Sequence, residues 1–309
     1  ADNAGNTNTA TSTVKIDKTN PLLIPSIPAP DGANGWHITT FLVDVSAVDA
    51  ISGVSYVQKQ LDGGVWRSGG VEDLEVAADG THTLNFRAQD VAGNNATQGP
   101  TTVYLDTVNP TSGISLSGTS GLAGWYVSNV TANPTGTDAT SGINTRQVQL
   151  DGGAWQSVAT ISSDGTHTLN ARSTDNAGLS ATSSTTAKID KTLPTISGTI
   201  PAADGANGWH ITNTTITANG SDATSGLWDT AIQLDGGAWQ GSPYTVTTEG
   251  NHAVIFRSRD NAGNTNTTNG TLKLDLVAPV ITPSSVCTFG LNSWCIAPAT
   301  LSAAGTDAV

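Results

Sequence analysis

The sequence predicts an all-β chain of tandem seven-stranded β-sandwiches, and three observations carry that reading. The first is composition. Only 12% of the 309 residues are charged, there are 34 Gly and no Met, and Thr, Ser, Asn, Asp and Val are abundant. That mix favours strands and turns over helices. The second is repetition: four motifs return in constant order about every 85 residues, the mark of a repeat architecture. The third is texture. Within each repeat, short alternating stretches are separated by turn signals roughly 8–12 residues apart, as in a sandwich.

The motifs fix the repeat boundaries. D-x-x-x-P starts at Asp17, Asp106, Asp190 and Asp275, which lie 89, 84 and 85 residues apart, and closes at Pro21, Pro110, Pro194 and Pro279. A Trp follows Gly at Trp36, Trp125 and Trp209, and follows Ser at Trp294. L-D-G-G-x-W ends at Trp66, Trp155 and Trp239, and D-x-A-G opens at Asp2, Asp90, Asp175 and Asp260. Whole repeats therefore span 19–106, 107–190 and 191–275. Residues 1–18 read as the tail of a preceding repeat and 276–309 as the opening of a further one. The end pieces together lack the L-D-G-G-x-W and G-x-H segments, so they do not complete each other. The expectation is a segment of a longer array.

The third repeat shows the strands in order. A stretch near Ile196 opens it, and Thr214–Ala218 alternates and ends at Asp222. Thr230–Leu234 runs into Asp235-Gly236-Gly237, a tight hairpin signal. Trp239 starts the return, and Tyr244–Thr247 precedes the turn at Glu249-Gly250. In His252–Ser258, one face carries His252, Val254, Phe256 and Ser258, the other Ala253, Ile255 and Arg257. Asn261–Asn264 turns the chain into Thr271–Asp275. No segment sustains a helical period.

The series x-D-A-x-S-G, L-D-G-G-x-W, D/E-G-x-H and D-x-A-G-N, closed by D-x-x-x-P, resembles bacterial immunoglobulin-like (Big-type) repeats of cell-surface proteins and large adhesins. The D-G-G-x-W and D-x-A-G-N parts are also similar to OmpL47-type repeats. The resemblance covers essentially the whole chain. It implies immunoglobulin-like sandwiches arranged end to end, an extracellular place on a bacterial surface, and a role as spacer, stalk or fibre subunit. It also implies calcium at domain junctions, as in several subfamilies. Two departures stand out: Gly121-Leu122-Ala123-Gly124 replaces D-G-A-N-G in the second repeat, and Cys295 follows Trp294 in the fourth.

Charge and motif content exclude other classes. Against 12 basic residues stand 25 acidic ones, a net charge of −13, which speaks against nucleic acid or an anionic membrane as partner. No apolar run is long enough to span a bilayer. The five His fall on two repeated positions, His37 and His210 after Gly-Trp, and His82, His167 and His252 after the D/E-G turn. Copies of a structural position are not the unique constellation an active site needs. The second set matches the corner position of immunoglobulin-like folds, whose polar tip bonds the preceding turn. The expectation is no enzyme.

Trp66, Trp155 and Trp239 admit two readings, a cap on the core beside the hairpin or an exposed platform for sugar rings. Trp36, Trp125 and Trp209 are expected to plug one pole of each sandwich. Cys287 and Cys295 either form a disulfide, which implies an oxidising extracellular setting, or remain two free thiols; two thiols without a neighbouring His are too few for a metal site.

Topology gives the metal candidates. Successive strands of a seven-stranded sandwich run down and up in turn, so the loops after the second and sixth strands share one pole. D-A-x-S-G ends the second strand, at Asp49, Asp138 and Asp222, and D-x-A-G ends the sixth, at Asp90, Asp175 and Asp260. The linker Asp of the preceding repeat arrives at the same pole. Three carboxylates should therefore meet at each junction: Asp17, Asp49 and Asp90; Asp106, Asp138 and Asp175; Asp190, Asp222 and Asp260. Hard oxygen donors suit a structural Ca²⁺. The competing reading is that each Asp only caps its turn.

The sequence thus points to a structural segment of a long surface protein. Its partners are neighbouring repeats, with other copies in a fibre or a surface glycan as further candidates. Direct glycan or host binding by the repeats, and service as accessory modules of a secreted enzyme, are the alternatives.

Overall fold

The computed structural model describes residues 1–307, so the last two residues of the 276–309 segment lie outside it. The chain is nearly all β, with sandwich-like sheets in tandem. In the first repeat the strands are β1 (Leu22–Ser26), β2 (Trp36–His37), β3 (Phe41–Val48), β4 (Val54–Leu61), β5 (Arg67–Ser68), β6 (Leu74–Val76), β7 (Gly80–Asp90) and β8 (Asn95–Leu105). The second carries β9 (Gly113–Ser117), β10 (Trp125–Tyr126), β11 (Val130–Thr135), β12 (Ile143–Leu150), β13 (Trp155–Gln156), β14 (Ala159–Ile161), β15 (Gly165–Asp175) and β16 (Ser180–Ile189). The third carries β17 (Thr195–Thr199), β18 (Trp209–His210), β19 (Thr214–Ser221), β20 (Leu227–Leu234), β21 (Gln240–Gly241), β22 (Tyr244–Val246), β23 (Gly250–Asp260) and β24 (Thr265–Leu274). A last hairpin pairs β25 (Val280–Val286) with β26 (Thr300–Thr306). Cys287 and Cys295 are joined there, with Cα atoms 5.6 Å apart.

The chain divides into two compact units. One holds Ala1–Ser115, Ala132–Ala159 and Thr168–Thr185; the other holds Leu116–Thr131, Thr160–His167 and the residues from Thr186 on. In the first unit a three-stranded sheet, β1-β3-β6, and a five-stranded sheet, β2-β8-β7-β4-β5, enclose a core that includes Val43, Val76, Leu84, Phe86 and Leu105. In the second unit the sheets β17-β19-β22 and β18-β24-β23-β20-β21 enclose Ile216, Ile232, Val246, Phe256 and Leu274. Alternation does this: along β23 the even-numbered residues from His252 to Asp260 are buried.

The seven predicted strands are present, together with a two-residue eighth. Trp36-His37 pairs in parallel with Tyr104-Leu105, and Trp209-His210 with Lys273-Leu274. The D-G-A-N-G turn steers the chain there. Asn34 and Gly35, then Asn207 and Gly208, take positive φ in succession, a geometry Gly and Asn tolerate best. The Asp at its head binds ahead: Asp204 accepts from the Ile211 amide at 2.8 Å and the Thr212 hydroxyl at 2.6 Å. The D-G-G hairpins likewise put Asp235 and Gly236 at φ 49° and 70°, as a type I′ turn requires.

Here the structure corrects the expected packing of the tryptophans. Trp209 lies beside Lys273 on the outward face, while His210 lies beside the fully buried Leu274 and is itself 5% exposed. His37 is buried in the same way and stacks on Phe41, ring centroids 3.7 Å apart. The imidazole, not the indole, plugs the sandwich. Burial lowers the pKa of His37 against the pull of Asp31, so the ring stays neutral.

Two of the D/E-G-x-H histidines, His82 and His252, do the opposite. Both nitrogens of His82 face acceptors: Nδ1 lies 2.7 Å from Asp62 Oδ2, and Nε2 2.7 Å from the Ala78 carbonyl. His252 repeats this with Asp235 at 2.6 Å and the Thr248 carbonyl at 2.8 Å. Only the doubly protonated ring donates from both nitrogens. Burial opposes the charge, but the carboxylate and carbonyl outweigh it and raise both pKa values above the ordinary 6.5. Such a shift gives stability that is full below the unfolded value and is lost as pH rises through the folded value. Melting scans are expected to show a decline of a few degrees as pH climbs above about 6.5. Asp235→Asn should flatten the share of the third repeat. A melting temperature level across that window would refute the assignment.

Candidate metal centres

Each predicted trio of carboxylates is brought together. Asp17, Asp49 and Asp90; Asp106, Asp138 and Asp175; and Asp190, Asp222 and Asp260 each offer three carboxylate oxygens within 4.8 Å of one another. The first two clusters lie in the first unit and the third in the second. The local chain explains the placement. The amides of Ser52 and Gly53 bind Asp49 Oδ1 at 2.8 and 2.9 Å, curling the D-A-x-S-G turn around that carboxylate. The Ser52 amide also reaches Asp17 Oδ2 at 3.0 Å, which ties the linker to the turn. The Ser141 and Ser225 amides do the same for Asp106 and Asp190, both at 3.1 Å.

The third member differs between repeats. Asn94 donates its amide to Asp90 Oδ1 and its side chain to Asp90 Oδ2, at 2.8 and 2.7 Å. Asn264 repeats both bonds on Asp260, at 2.8 Å each, and its side chain also reaches the Asp190 carbonyl at 3.0 Å. In the second repeat the residue is Leu179. Its amide still binds Asp175 Oδ1 at 2.8 Å, but Asp175 Oδ2 is buried without a hydrogen-bond partner. A buried orphan carboxylate oxygen is costly. It needs a proton or a cation.

The electrostatics follow. Burial raises the pKa of Asp175, opposed by the Leu179 amide and reinforced by Asp106 and Asp138. Burial also raises Asp190, opposed by Ser225 and reinforced by Asp222 and Asp260. Asp17, beside the exposed tail, is held down at about 2 by the Thr19 amide and by Ser52. Three hard oxygens at one point, two of them on fully buried residues in the second and third clusters, suit Ca²⁺ better than a soft transition metal.

A second contact sits at the same pole. The Ala33 amide of the first D-G-A-N-G loop donates to the Ala177 carbonyl at 2.7 Å, and Asn34 Nδ2 to the Asn176 carbonyl at 2.9 Å. In the second unit the Leu122 amide donates to the Ala262 carbonyl at 2.8 Å. A Cβ on Gly32 would stand 2.6 Å from the Ala177 oxygen, and one on Gly121 would clash with the Ala262 oxygen. The glycines are what let one backbone approach the other. The loop ahead of one repeat's second sheet thus grips the D-x-A-G loop of the next.

The L-D-G-G-x-W tryptophans do not cap the core. Their rings lie on the outer face of the five-stranded sheets under guanidinium groups: Arg87 over Trp66 at 4.1 Å, Arg172 over Trp155 at 4.7 Å and Arg257 over Trp239 at 4.2 Å. The arginines were readable in the sequence, five residues after each corner His, but their aromatic partners were not.

Comparison with known proteins finds no matching family model and no matching curated protein. Solved structures do match. The chain is similar to a structure from a 1.5-MDa bacterial ice-binding adhesin, at 16% identity over 84% of this chain and 100% of that one, TM-score 0.35. It is similar to the fibronectin(III)-like modules of Clostridium thermocellum CbhA, at 15% identity over 54% of this chain and 93% of that one, TM-score 0.29. It is also similar to mouse cadherin-23 EC22-24, at 16% identity over 84% and 99%, TM-score 0.33.

Proposed function

We propose that this chain is a structural segment of a long extracellular bacterial surface protein, built from Big-type immunoglobulin-like repeats, that serves as stalk, spacer or fibre unit. Five segments compose it: 1–18, 19–106, 107–190, 191–275 and 276–309. The observation that carries the reading is where the repeated chemistry lies. Beside the hairpin and corner residues that recur within each sandwich, the linker Asp, the two turn Asp residues that meet it, and the glycine-bearing loops that grip one another recur at the junctions. A chain that repeats polar residues at its joints is built to hold its repeats in a fixed relation.

In this reading Ca²⁺ sits at each junction on the three carboxylates, with backbone carbonyls and water completing its shell. It neutralises Asp175 and Asp190 where burial disfavours their charge. The disulfide at Cys287 and Cys295 fits the same oxidising exterior. No catalytic step is assigned.

Small-angle scattering tests the spacer. Strands of about seven residues plus polar loops give about 40 Å per repeat, so three repeats in calcium should form a rod on the order of 120 Å long. A maximum dimension typical of a compact globule would refute the proposal.

A further inference from the structure

Repeated residues report architecture, so a departure confined to one repeat asks for another explanation. On the outer face of the third repeat's five-stranded sheet, three neighbouring positions depart together. Trp228, Asp229 and Arg259 stand where the first repeat has Ser55, Tyr56 and Gln89, and the second Asn144, Thr145 and Thr174. Trp228 occupies the β-bulge between Leu227 and Asp229, a feature that re-aims a side chain. It is 53% exposed, with Arg259 4.5 Å over its ring. Asp229 accepts from Arg259 Nε and Nη2 at 2.9 and 2.6 Å and from Arg257 Nη2 at 3.4 Å. Arg257 in turn covers Trp239, itself 37% exposed. The result is a stripe of ring, guanidinium, carboxylate, guanidinium and ring. Trp239 follows on from the β20–β21 register beside Gln233, so the two rings lie about 15 Å apart along the strand.

We propose that this stripe binds a neutral glycan chain. The parts of the two indoles that the guanidiniums leave exposed, 53% of Trp228 and 37% of Trp239, offer apolar surface to the C–H faces of pyranose rings. Between them the Arg–Asp–Arg group offers both donors and acceptors, which is what hydroxyls need. An acidic sugar fits worse: it would have to displace Asp229 from both guanidiniums and approach a chain of net charge −13. A peptide presenting apolar side chains would leave that charged centre buried without hydroxyl partners. The site goes beyond the spacer reading and does not depend on it.

The test is binding of the whole chain to a panel of neutral glucose, mannose and galactose oligosaccharides of different linkage, with sialylated and sulfated glycans alongside. At least one neutral series should bind and perturb tryptophan fluorescence. Trp228→Ser and Trp228→Asn install residues that the sister repeats carry at the same place, so the fold is kept and the melting temperature should stay level. Each should weaken binding about tenfold or more, as loss of a central aromatic anchor does, and Arg259→Gln should do likewise. Failure of every neutral glycan to bind, binding of acidic glycans alone, or undiminished binding by the Trp228 variants would each overturn the proposal.

Discussion

Transfer of this chain from calcium to chelator is expected to lower its melting temperature by about 10 °C or more. The magnitude comes from linkage. At free calcium about 100 times Kd, a site that forms only in the folded chain adds about 2.7 kcal/mol. For a domain of this size each kcal/mol shifts the melting temperature by about 4–8 °C. The three carboxylate clusters predict three ions per chain by calorimetry. The pH dependence has a definite sign. Asp175 and Asp190 have folded pKa values raised above the ordinary 3.8, so in chelator the penalty for charging them grows as pH rises through those values. Calcium cancels that penalty. The gap between the calcium and chelator curves should therefore widen with rising pH, while groups remote from the ion drop out of the difference. Asp138→Asn should remove one ion and narrow the gap by about a third. Identical curves with no bound metal would leave the aspartates as turn formers.

The second cluster adds a finer expectation. Leu179 leaves Asp175 Oδ2 without the donor that Asn94 and Asn264 provide elsewhere. Leu179→Asn should therefore stabilise the chelated protein and reduce what calcium adds there. If the ion played no part, the substitution would raise the curves in calcium and in chelator equally.

Much of this was legible because turn chemistry is local. D-G-G demanded positive φ at Asp235 and Gly236, and strand alternation placed Val254 and Phe256 inside. Counting strand directions then brings nine aspartates to three points from the sequence alone. Register was less legible. Trp209-His210 is only two residues long, and in so short a strand nothing in the sequence says which side faces the core. The large apolar indole was the natural choice, yet the register opposite Lys273-Leu274 turned His210 inward. The start of β24 at Thr265, ahead of the expected Thr271, is not legible either. Its first residues are Thr and Asn whose outer face meets solvent, so only Leu272 and Leu274 at its end are buried. Cation–π pairs such as Arg257 on Trp239 join distant parts of the sequence, and no local pattern announces them. The Leu179 departure was visible as a letter, but its consequence, an orphaned oxygen, needed the geometry.

Phe256→Ala is expected to unfold the third repeat at a lower temperature than the rest and to add a separate early transition in calorimetry. Phe256 is 2% exposed among Ile216, Ile232, Val246 and Leu272. Removing such a ring costs about 3–5 kcal/mol, a large share of what a domain of this size possesses. The reason the ring fits is Gly198: a Cβ there would stand against the ring, in contact with its Cδ2 carbon, and one on Gly270 would lie 3.4 Å from Cε2. Gly198→Ile alone should therefore overpack the core and cost about 1–3 kcal/mol. The second repeat suggests how the two positions trade volume. It carries Ala171 in place of the phenylalanine, and Ile114 as the fourth residue after its linker proline, where the third repeat has Gly198. The double variant Gly198→Ile with Phe256→Ala recreates that combination. Its loss should fall short of the sum of the single losses by about 1 kcal/mol or more, the size of coupling expected between touching residues. Strict additivity in the double-mutant cycle would show that the ring and the glycine do not share one cavity.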